Sequence, residues 1–390
     1  MRPHPVFADM PVTVFEHMSG LARSLGAINL GQGFPDDAGP LDLRQAAAEA
    51  LISGSNQYAP SRGLPELRQA VADHYRAFQG LEYEPQNVVV TSGATEAIAA
   101  SILALVNEGD EVLIFEPAYD AYRPLVERAG AIARPIRLEP PLWRLDAAQI
   151  EAAVTPRTRV VLFNTPMNPV ARVFDEADLA VLADVCVRHD LIVISDEVWE
   201  HIVFDGRRHL SLAAASGMAD RTVKIGSAGK MFGMTGWKIG FACAPVALIE
   251  PIARAHQFLT FSSAPNLQSA VSLGLGWPQE RFDAMRAGLQ RSRDRLAGGL
   301  RDVGYSVDSG QGTYFLTLDL PGSGIELGDA DFCDRIVRRH GVAAIPVSAF
   351  VSGGGQGRTV RLCFAKADAV LDQAVERLGV ALHAIRQTAD

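Results

Sequence analysis

Short apolar runs alternate with helical patterns through the middle of the chain. The runs, rich in β-branched residues, are Val88–Val90, Val112–Phe115, Val160–Phe163, Leu191–Ile194, Val223–Ile225 and Ile239–Ala242. The helical patterns between them include Thr95–Val106, Tyr122–Ala129 and Glu176–His189. Continuous apolar runs separated by helices are typical of parallel strands buried on both faces, with right-handed crossovers. The pattern therefore predicts an α/β fold built on a largely parallel sheet.

The pattern of apolar and charged residues changes after residue 280. A long charged helix is predicted at 281–303, and the segments 313–318 and 360–364 alternate like half-buried strands. We expect a smaller α+β domain there. The first forty residues have little regular pattern and are expected to form an arm and part of that smaller domain. The predicted boundaries are 1–43 for the arm and part of the small domain, 44–283 for the large domain and 284–390 for the small C-terminal domain.

Composition and charge narrow the function classes. Of 390 residues 48% are hydrophobic and 21% charged, which excludes disordered, collagen-like and coiled-coil chains. A net charge of −9 disfavours nucleic acid and anionic membranes as partners. The four cysteines form no CxxC pair, so we expect no metal site and no redox dithiol. With no signal-peptide pattern and no span-length apolar stretch, the chain is expected to be cytoplasmic.

Polar residues follow four of the predicted strands. They are Thr91–Glu96, Asn164–Pro169, Ser195–Glu197 and Gly226–Lys230. One such segment is an ordinary capped turn, but ligands of open α/β sheets bind beyond the carboxyl ends of the strands, so four together indicate one site. The first has the form of a phosphate cradle, because a turn leads into a helix with free N–H groups. Taken alone, Ser92 or Thr95 also suits an N-cap.

Lys230 lies in a glycine-rich segment and fits three chemistries to different degrees. A P-loop needs Gly at 224 and Ser or Thr at 231, where this chain has Lys224 and Met231. A serine acyl-transfer SxxK motif fits Ser227 to Lys230, but its Ser-Asp-Asn and Lys-Thr-Gly partners are absent. A Schiff-base lysine for pyridoxal phosphate needs a phosphate cradle, an acid, hydroxyl donors and an aromatic cover. The other strand ends supply candidates for each of these groups.

Motifs in a specific order extend from Asn29 to about Arg377. They are Asn29–Asp36, Gln57–Pro60, Thr91–Glu96, Asn164–Pro169, Ser195–Val198, Ser227–Lys238, Gly312–Phe315, Ala344–Phe350 and Val360–Lys366. By these motifs the sequence resembles the class I/II aminotransferases of pyridoxal phosphate (PLP) fold type I, and within them the kynurenine, glutamine and methionine branch. The resemblance implies a mostly parallel seven-stranded sheet flanked by helices, a smaller α+β domain, and PLP as cofactor.

The resemblance also implies a set of cofactor contacts. Lys230 forms the Schiff base and is the catalytic residue, Asp196 pairs with the protonated pyridine nitrogen, and Asn168 donates to the ring hydroxyl. Tyr119 stacks on the ring. The residues implied at the phosphate are Gly93, Ala94, Thr95, Ser227 and Lys238. Tyr58 reaches the phosphate of the neighbouring subunit, which makes the active unit a homodimer.

The substrates implied are small amino acids and 2-oxo acids. Arg361 binds the substrate α-carboxylate through two hydrogen bonds, because a guanidinium matches a carboxylate bidentately. Asn168 and the backbone of Gly33 assist this binding. Side chains expected around the substrate are those of Phe34, Phe350, Tyr314 and Phe258. This set favours neutral, aromatic or sulfur-containing donors such as methionine, glutamine or kynurenine. Arg23, Arg62 and Arg172 have no predicted position, so a second carboxylate site stays open. An N-succinyldiaminopimelate-type aminotransferase is an alternative within the family.

Two departures from the family pattern stand out. Trp199 takes the place of the usual Tyr, and indole N–H is a donor only. We expect that Trp199 either donates to the cofactor's ring oxygen or turns aside and leaves Asn168 alone, with a raised pKa of the Schiff base. The segment Val170–Arg172 stands where the family has a small residue, Gly and Lys, and the resemblance implies that this loop borders the substrate region and affects substrate preference.

The implied reaction is a ping-pong transamination in which Lys230 takes the α-proton and returns it. A PLP-dependent carbon–sulfur β-lyase on the same scaffold is the nearest alternative. A PLP-sensing transcription regulator would need a basic DNA-binding domain, for which a pattern that begins by Asn29 leaves no room. An aminotransferase-like protein without catalysis is disfavoured by the intact Lys230, Asp196 and Arg361.

Overall fold

The computed structural model describes residues 3–8, 10–354 and 357–387. The α-helices are α1 (Pro5–Ala8), α2 (Val14–Leu25), α3 (Leu41–Ser53), α4 (Pro65–Gln79), α5 (Gly93–Leu105), α6 (Tyr122–Arg128), α7 (Ala147–Ala153), α8 (Glu176–Arg188), α9 (Ala228–Met231), α10 (Val246–Leu259), α11 (Pro265–Leu275), α12 (Gln279–Asp302), α13 (Asp329–His340) and α14 (Asp368–Arg386). Short 3₁₀ turns cover Pro85–Asn87, Leu212–Ala214, Thr235–Trp237, Pro321–Ser323 and Val347–Phe350.

The strands of the described residues form a seven-stranded central sheet, a four-stranded sheet and a two-stranded sheet. They are β1 (Ile28–Asn29), β2 (Val88–Ser92), β3 (Glu111–Glu116), β4 (Ile132–Arg137), β5 (Thr158–Asn164), β6 (Ile192–Asp196), β7 (Thr222–Ser227), β8 (Ile239–Cys243), β9 (Ser306–Asp308), β10 (Phe315–Asp319), β11 (Val342–Ala343), β12 (Ile345–Pro346) and β13 (Thr359–Cys363).

The central sheet confirms the predicted α/β class. Among the described residues it has seven strands in the order β2-β8-β7-β6-β5-β3-β4. Only β8 pairs antiparallel with its neighbours, and the remaining pairs are parallel. Alternate residues of the apolar runs enter separate cores, because successive side chains of a strand point to opposite faces. Leu113, Val161 and Val193 face the core under α8, whereas Ile114 and Val160 face the core under α5 and α10.

Strand β4 has no counterpart among the predicted strands. Its sequence carries Arg134, Pro135 and Arg137, and neither a continuous apolar run nor a clean alternation results. It lies at the edge of the sheet beside β3. Proline is tolerated on edge strands, so position rather than composition explains this strand.

The first forty residues are more regular than the sequence pattern indicated. Helix α2 has an N-cap at Thr13, whose hydroxyl accepts from Glu16 N, and ends at Gly26 in the left-handed conformation. Strand β1 then pairs parallel with β11. The smaller antiparallel sheet has the order β12-β13-β10-β9. The domain boundaries stay predictions, and the one proposed after residue 283 falls inside α12.

Two further findings bear on chemistry. All four cysteines are buried free thiols. Among the described residues, we find no helix that combines the length and the apolar character needed to cross a membrane.

Candidate active site

A cavity of about 260 Å³ lies beyond the carboxyl ends of β2, β5, β6 and β7. Its lining includes Gly33, Gly93, Ala94, Thr95, Tyr119, Asn168, Asp196, Trp199, Ser227, Lys230, Lys238 and Arg361. Asn164 and Asp196 are Cα partners at the last rung of the β5–β6 ladder. The sheet thus brings together side chains from four strand ends, as the sequence pattern predicted.

Lys230 extends into this cavity from the short helix α9. Its ammonium nitrogen Nζ donates to the carbonyl of Gly33 at 3.1 Å and lies 4.6 Å from the centroid of the Trp199 ring. The Tyr314 hydroxyl donates to the Lys230 carbonyl at 2.8 Å and fixes the backbone. Burial lowers the pKa of Lys230 to about 8. A large fraction of this amine is therefore neutral near pH 8, as a nucleophile or proton acceptor must be.

Asp196 is the last residue of β6 and is buried. Its Oδ2 accepts from the Tyr122 hydroxyl at 2.5 Å, and its Oδ1 accepts from Val198 N at 3.3 Å. Burial raises the pKa of Asp196 to about 6, while the Tyr122 and Val198 hydrogen bonds and Lys230 act in the lowering direction. A buried carboxylate with these donors is suited to hold a protonated ring nitrogen. Sequence reasoning did not identify Tyr122 as a site residue.

The predicted phosphate cradle is the turn from Ser92 into α5. Gly93 has φ +75° and sits so close to Lys238 that a Cβ there would lie 2.9 Å from Nζ. Lys238 is itself left-handed at φ 54°. Gly240 must also lack a side chain, because its Cβ would lie 2.5 Å from the Gly93 carbonyl carbon. The free N–H groups of a helix start beside an ammonium group fit a phosphate.

Tyr119 lies next to this cradle. Its hydroxyl lies 3.4 Å from Thr95 Oγ1, and its ring is edge-on to that of Tyr122. Ser227 ends β7 and is buried in the cavity wall. An aromatic cover, hydroxyls, a cation and helix N–H groups therefore converge on one end of the cavity.

Arg361 also lines this cavity, from β13, and is 1% exposed. Its Nη1 donates to Asn168 Oδ1 and its Nη2 to the Gly31 carbonyl, both at 2.7 Å. The guanidinium carbon lies 3.9 Å from the centroid of Phe315, and Nε has no hydrogen-bond partner among the described residues. Burial lowers the pKa of Arg361. A buried cation held by neutral oxygens is suited to receive a carboxylate.

Asn168 connects Arg361 to the strand ends. Its N–H donates to Asn164 Oδ1 at 2.8 Å, and Asn164 Nδ2 donates to the Asp196 carbonyl at 2.8 Å. Because Asn168 Oδ1 accepts from Arg361, its Nδ2 is the group that remains to donate into the cavity. Asn164 is part of the Asn164–Pro169 motif, but the sequence predicted no role for it. In the structure it bridges Asn168 and Asp196.

Trp199 lines the cavity with its ring facing Lys230. The ring is edge-on to Tyr314, with centroids 4.8 Å apart, and to Phe315, with centroids 5.6 Å apart. The indole thus packs against the Lys230 ammonium group as a π-face. Its two expected behaviours toward the cofactor remain predictions.

Some predicted residues lie outside the cavity of this chain. Tyr58 is 84% exposed and packs edge-on against Phe261, with ring centroids 5.1 Å apart. Phe34 is also exposed, and Lys366 Nζ lies 5.2 Å from its ring centroid. Phe258 is 87% exposed. The roles predicted for these three residues stay predictions.

The arginines without a predicted position are engaged or exposed away from the cavity. Arg62 pairs with Glu250, and Arg172 donates to Asp178 Oδ2 at 2.8 Å. Arg23 is exposed on α2. Val170 and Ala171 are buried, and the Met167 N–H donates to the Arg172 carbonyl at 2.7 Å. The 170–172 segment therefore packs behind the Asn168 turn rather than in the cavity wall.

A buried charged cluster directly follows Asp196. Lys224 Nζ lies 2.5 Å from Glu197 Oε2 and 2.7 Å from Glu200 Oε2, and His209 Nε2 lies 2.8 Å from Glu197 Oε2. Burial opposes ionisation of Glu197, but Lys224 and His209 outweigh it and lower its pKa to about 2. The ammonium group thus occupies the space between carboxylates that a metal ion would need. Sequence reasoning missed this cluster, because its members come from the segment after β6, from the interior of β7 and from a later loop.

Sequence comparison identifies related proteins over almost the whole chain. A family model described as aminotransferase class I and II matches residues 26–378. A probable N-succinyldiaminopimelate aminotransferase of Mycobacterium tuberculosis is 46% identical over 380 residues, covering 94% of this chain and 96% of that protein. A methionine aminotransferase of Escherichia coli is 40% identical over 379 residues, covering 96% and 97% respectively. Kynurenine–oxoglutarate transaminase 1 of Rattus norvegicus is 36% identical over 393 residues, covering 92% and 93%.

Solved structures match equally well. An N-succinyldiaminopimelate aminotransferase from Mycobacterium tuberculosis superposes with a TM-score of 0.94 at 45% identity, covering 97% of this chain and 100% of the other. An Escherichia coli protein with a methionine aminotransferase function has a TM-score of 0.94 at 39% identity, with the same coverage.

Proposed function

Because the chain belongs to the aminotransferase class I and II family, we propose that it moves the amino group of a neutral, aromatic or sulfur-containing L-amino acid to a 2-oxo acid. It is a PLP-dependent enzyme of PLP fold type I. The proposal rests mainly on Arg361, a buried guanidinium that is held by neutral oxygens and lines the same cavity as the phosphate cradle. Methionine, glutamine and kynurenine are the donors we favour.

The residues present fit the cofactor. The cradle of Gly93, Ala94 and Thr95 with Lys238 suits its phosphate, and buried Asp196 suits its ring nitrogen. When bound, PLP supplies an electron-withdrawing ring that makes the α-proton of an amino acid acidic. A Cβ at Gly93 would displace the Lys238 ammonium group from the place where the phosphate is expected.

The chain's own residues then divide the work. Arg361 binds the α-carboxylate, and Asn168 orients it by holding the guanidinium. Lys230 Nζ, with a pKa lowered to about 8, accepts the α-proton and returns it. Asp196 stays ionised above about pH 6 and so keeps a negative charge on the ring-nitrogen side of the cavity.

The substrate preference follows from the charges that line the cavity. Among the described residues Arg361 is the arginine in that lining, since Arg62 and Arg172 are held by carboxylates elsewhere. A donor with one carboxylate is therefore favoured over aspartate. An N-succinyldiaminopimelate-type reaction is the second candidate, favoured by the 46% identical relative of that name.

The proposal includes a homodimer in which Tyr58 serves the neighbouring site. Tyr58 and Phe261 pack on each other and, like Phe258, are exposed in the single chain, so burying these aromatic rings would be favourable. Four buried free thiols support a reducing, cytoplasmic location.

The experiment loads purified protein with PLP and adds single amino acids with 2-oxoglutarate. Methionine, glutamine, kynurenine, aspartate and N-succinyldiaminopimelate are compared by kcat/KM, with ammonia and pyruvate assayed alongside. We expect one of the first three to exceed aspartate by about tenfold or more. A clear preference for N-succinyldiaminopimelate would select the second candidate. Cystathionine is added separately, without a 2-oxo acid. Release of pyruvate and ammonia from it would instead identify a carbon–sulfur β-lyase.

A further inference from the structure

His256 lies between the phosphate cradle and the loop that carries Tyr58. It belongs to the last turns of α10 and is 0% exposed. Its Nδ1 lies 2.9 and 3.1 Å from the two carboxylate oxygens of Glu96, and its Nε2 lies 2.7 Å from the carbonyl oxygen of Ser61. One buried ring therefore contacts two separate elements of the site.

Both contacts are acceptors, which fixes the charge of the ring. A carboxylate and a backbone carbonyl each accept and cannot donate, so each ring nitrogen must carry a hydrogen. The charged group facing the ring from α5 is Glu96, the loop side presents the neutral Ser61 carbonyl, and Thr260 on the ring's own side places a hydroxyl 3.3 Å from Nδ1. Arg62, next to Ser61, is engaged by Glu250. The imidazolium is therefore the form of the ring that donates to both of these acceptors at once.

The electrostatic balance agrees with this geometry. Burial favours the neutral ring, but the Glu96 carboxylate and the Ser61 carbonyl outweigh it and raise the pKa of His256 above its ordinary value. The charged bridge is therefore complete below the ordinary pKa of histidine, and it is lost as pH rises through the raised pKa.

Glu96 connects His256 to the phosphate cradle. It lies in the first turn of α5, and its Oε2 also accepts from the backbone N–H of Ser92 at 2.8 Å. That N–H belongs to the residue just before Gly93, where the cradle begins. A shift of Glu96 therefore acts on the turn whose N–H groups face the phosphate.

Ser61 connects His256 to the Tyr58 loop. It follows Tyr58 by three residues, and the next carbonyl, that of Arg62, accepts from Val90 N at 3.0 Å. The Tyr58 ring packs on Phe261, just beyond the end of α10. The end of α10 thus touches this loop twice, through His256 and through Phe261.

We propose that protonated His256 is a positioning residue that ties the phosphate cradle to the Tyr58 loop, and that its proton strengthens the binding of PLP. This rests on the proposed function, in which the cradle holds the PLP phosphate and Tyr58 serves the neighbouring subunit. In that dimer, one imidazolium joins the cradle of its own site to the loop that completes the other.

The test measures PLP dissociation constants of the full-length apoprotein at pH 6 and pH 9. In His256→Asn the amide nitrogen takes the place of Nδ1 and keeps the Glu96 contact, whereas in His256→Gln it takes the place of Nε2 and keeps the Ser61 contact. Each variant cuts the bridge on one side. At pH 6 we expect the PLP dissociation constant of each variant to be about fivefold or more above that of the original chain. At pH 9 this ratio of dissociation constants should fall toward one.

His189→Gln is the matched control. His189 also pairs with a carboxylate, Glu151, but at the end of α8 and away from the cavity. The PLP dissociation constant of His189→Gln should stay close to that of the original chain at both pH values. If either His256 variant fails to fold, Glu96→Gln provides a second measurement, because loss of the carboxylate lowers the pKa of His256 and moves the pH midpoint of PLP binding downward.

A double-mutant cycle with Tyr58→Phe tests the loop side. If His256 acts through that loop, the effects of His256→Asn and Tyr58→Phe on PLP binding are non-additive. Additive effects of the two substitutions would overturn the positioning role, and so would a ratio of PLP dissociation constants that is the same at both pH values. In either case PLP binding and transamination would persist, so the proposed function would stand. Failure of the original chain to bind PLP at any pH would instead contradict the proposed function.

Discussion

Tyr122, the first residue of α6, donates its phenol hydrogen to Oδ2 of Asp196, the last residue of β6, across 2.5 Å. The hydrogen bond stabilises the ionised carboxylate in a site where burial alone would neutralise it. The phenol therefore extends the range of pH over which Asp196 stays charged.

Replacing this phenol should move the acid side of the pH profile. In Tyr122→Phe the pKa of Asp196 rises further above 6, and the acid limb of kcat/KM shifts upward by about one pH unit. The control is Tyr305→Phe, which removes a buried hydroxyl bonded to the Leu378 carbonyl at 2.9 Å, away from the cavity. If the acid limb of kcat/KM does not move in Tyr122→Phe, the hydrogen bond does not contribute to the function of Asp196.

Arg361 should determine substrate binding without determining cofactor binding. Arg361→Lys keeps the charge but loses the fork, so we expect kcat/KM for amino acid and 2-oxo acid to fall by roughly 100-fold. The PLP absorption spectrum of the variant should be retained. An amine substrate without the α-carboxylate provides the control, because it should react equally with both proteins. A large loss with that amine would place the effect elsewhere than at the carboxylate.

A side chain at Gly93 should displace Lys238 as well as strain the backbone. In Gly93→Ala the new Cβ meets Lys238 Nζ at 2.9 Å, and we expect PLP affinity to fall by about tenfold or more. Gly109→Ala is a matched control, since Gly109 has φ +84° with nothing within 4 Å of its Cβ position. It should lose about 1 kcal/mol of stability to the positive φ and keep its PLP affinity. Equal losses of PLP affinity in both variants would exclude the cradle as the cause.

Trp199 should tune the bound cofactor. Trp199→Tyr brings a phenol donor toward the cofactor's ring oxygen, which lowers the pH midpoint of the visible absorption band by about one unit. Spectral titration measures this midpoint directly. Trp277→Tyr serves as the comparison, because Trp277 packs between Phe232 and Arg281 in a separate core cluster. An unchanged midpoint in Trp199→Tyr would refute the effect.

The sequence pattern predicted the central fold because the buried strands are continuous apolar runs, and it predicted the site because polar residues follow those runs. It failed where tertiary position overrides composition. Strand β4 contains Pro135 and two arginines, and α2 shows its start only through the Thr13 cap. The Tyr122–Asp196 and His256–Glu96 contacts join residues 74 and 160 positions apart, and no local pattern encodes such pairs.

The edge position of β4 has a consequence for solubility at high concentration. The N–H groups of Ile132 and Leu138 donate inward, to the carbonyls of Asp110 and Glu116. The two-residue alternation then turns the backbone nitrogen of Pro135 outward, where it carries no hydrogen. An incoming extended peptide finds a missing donor at the middle of this edge and positive side chains beside it. This edge of the seven-stranded sheet thus carries a built-in barrier to strand addition and to fibril growth.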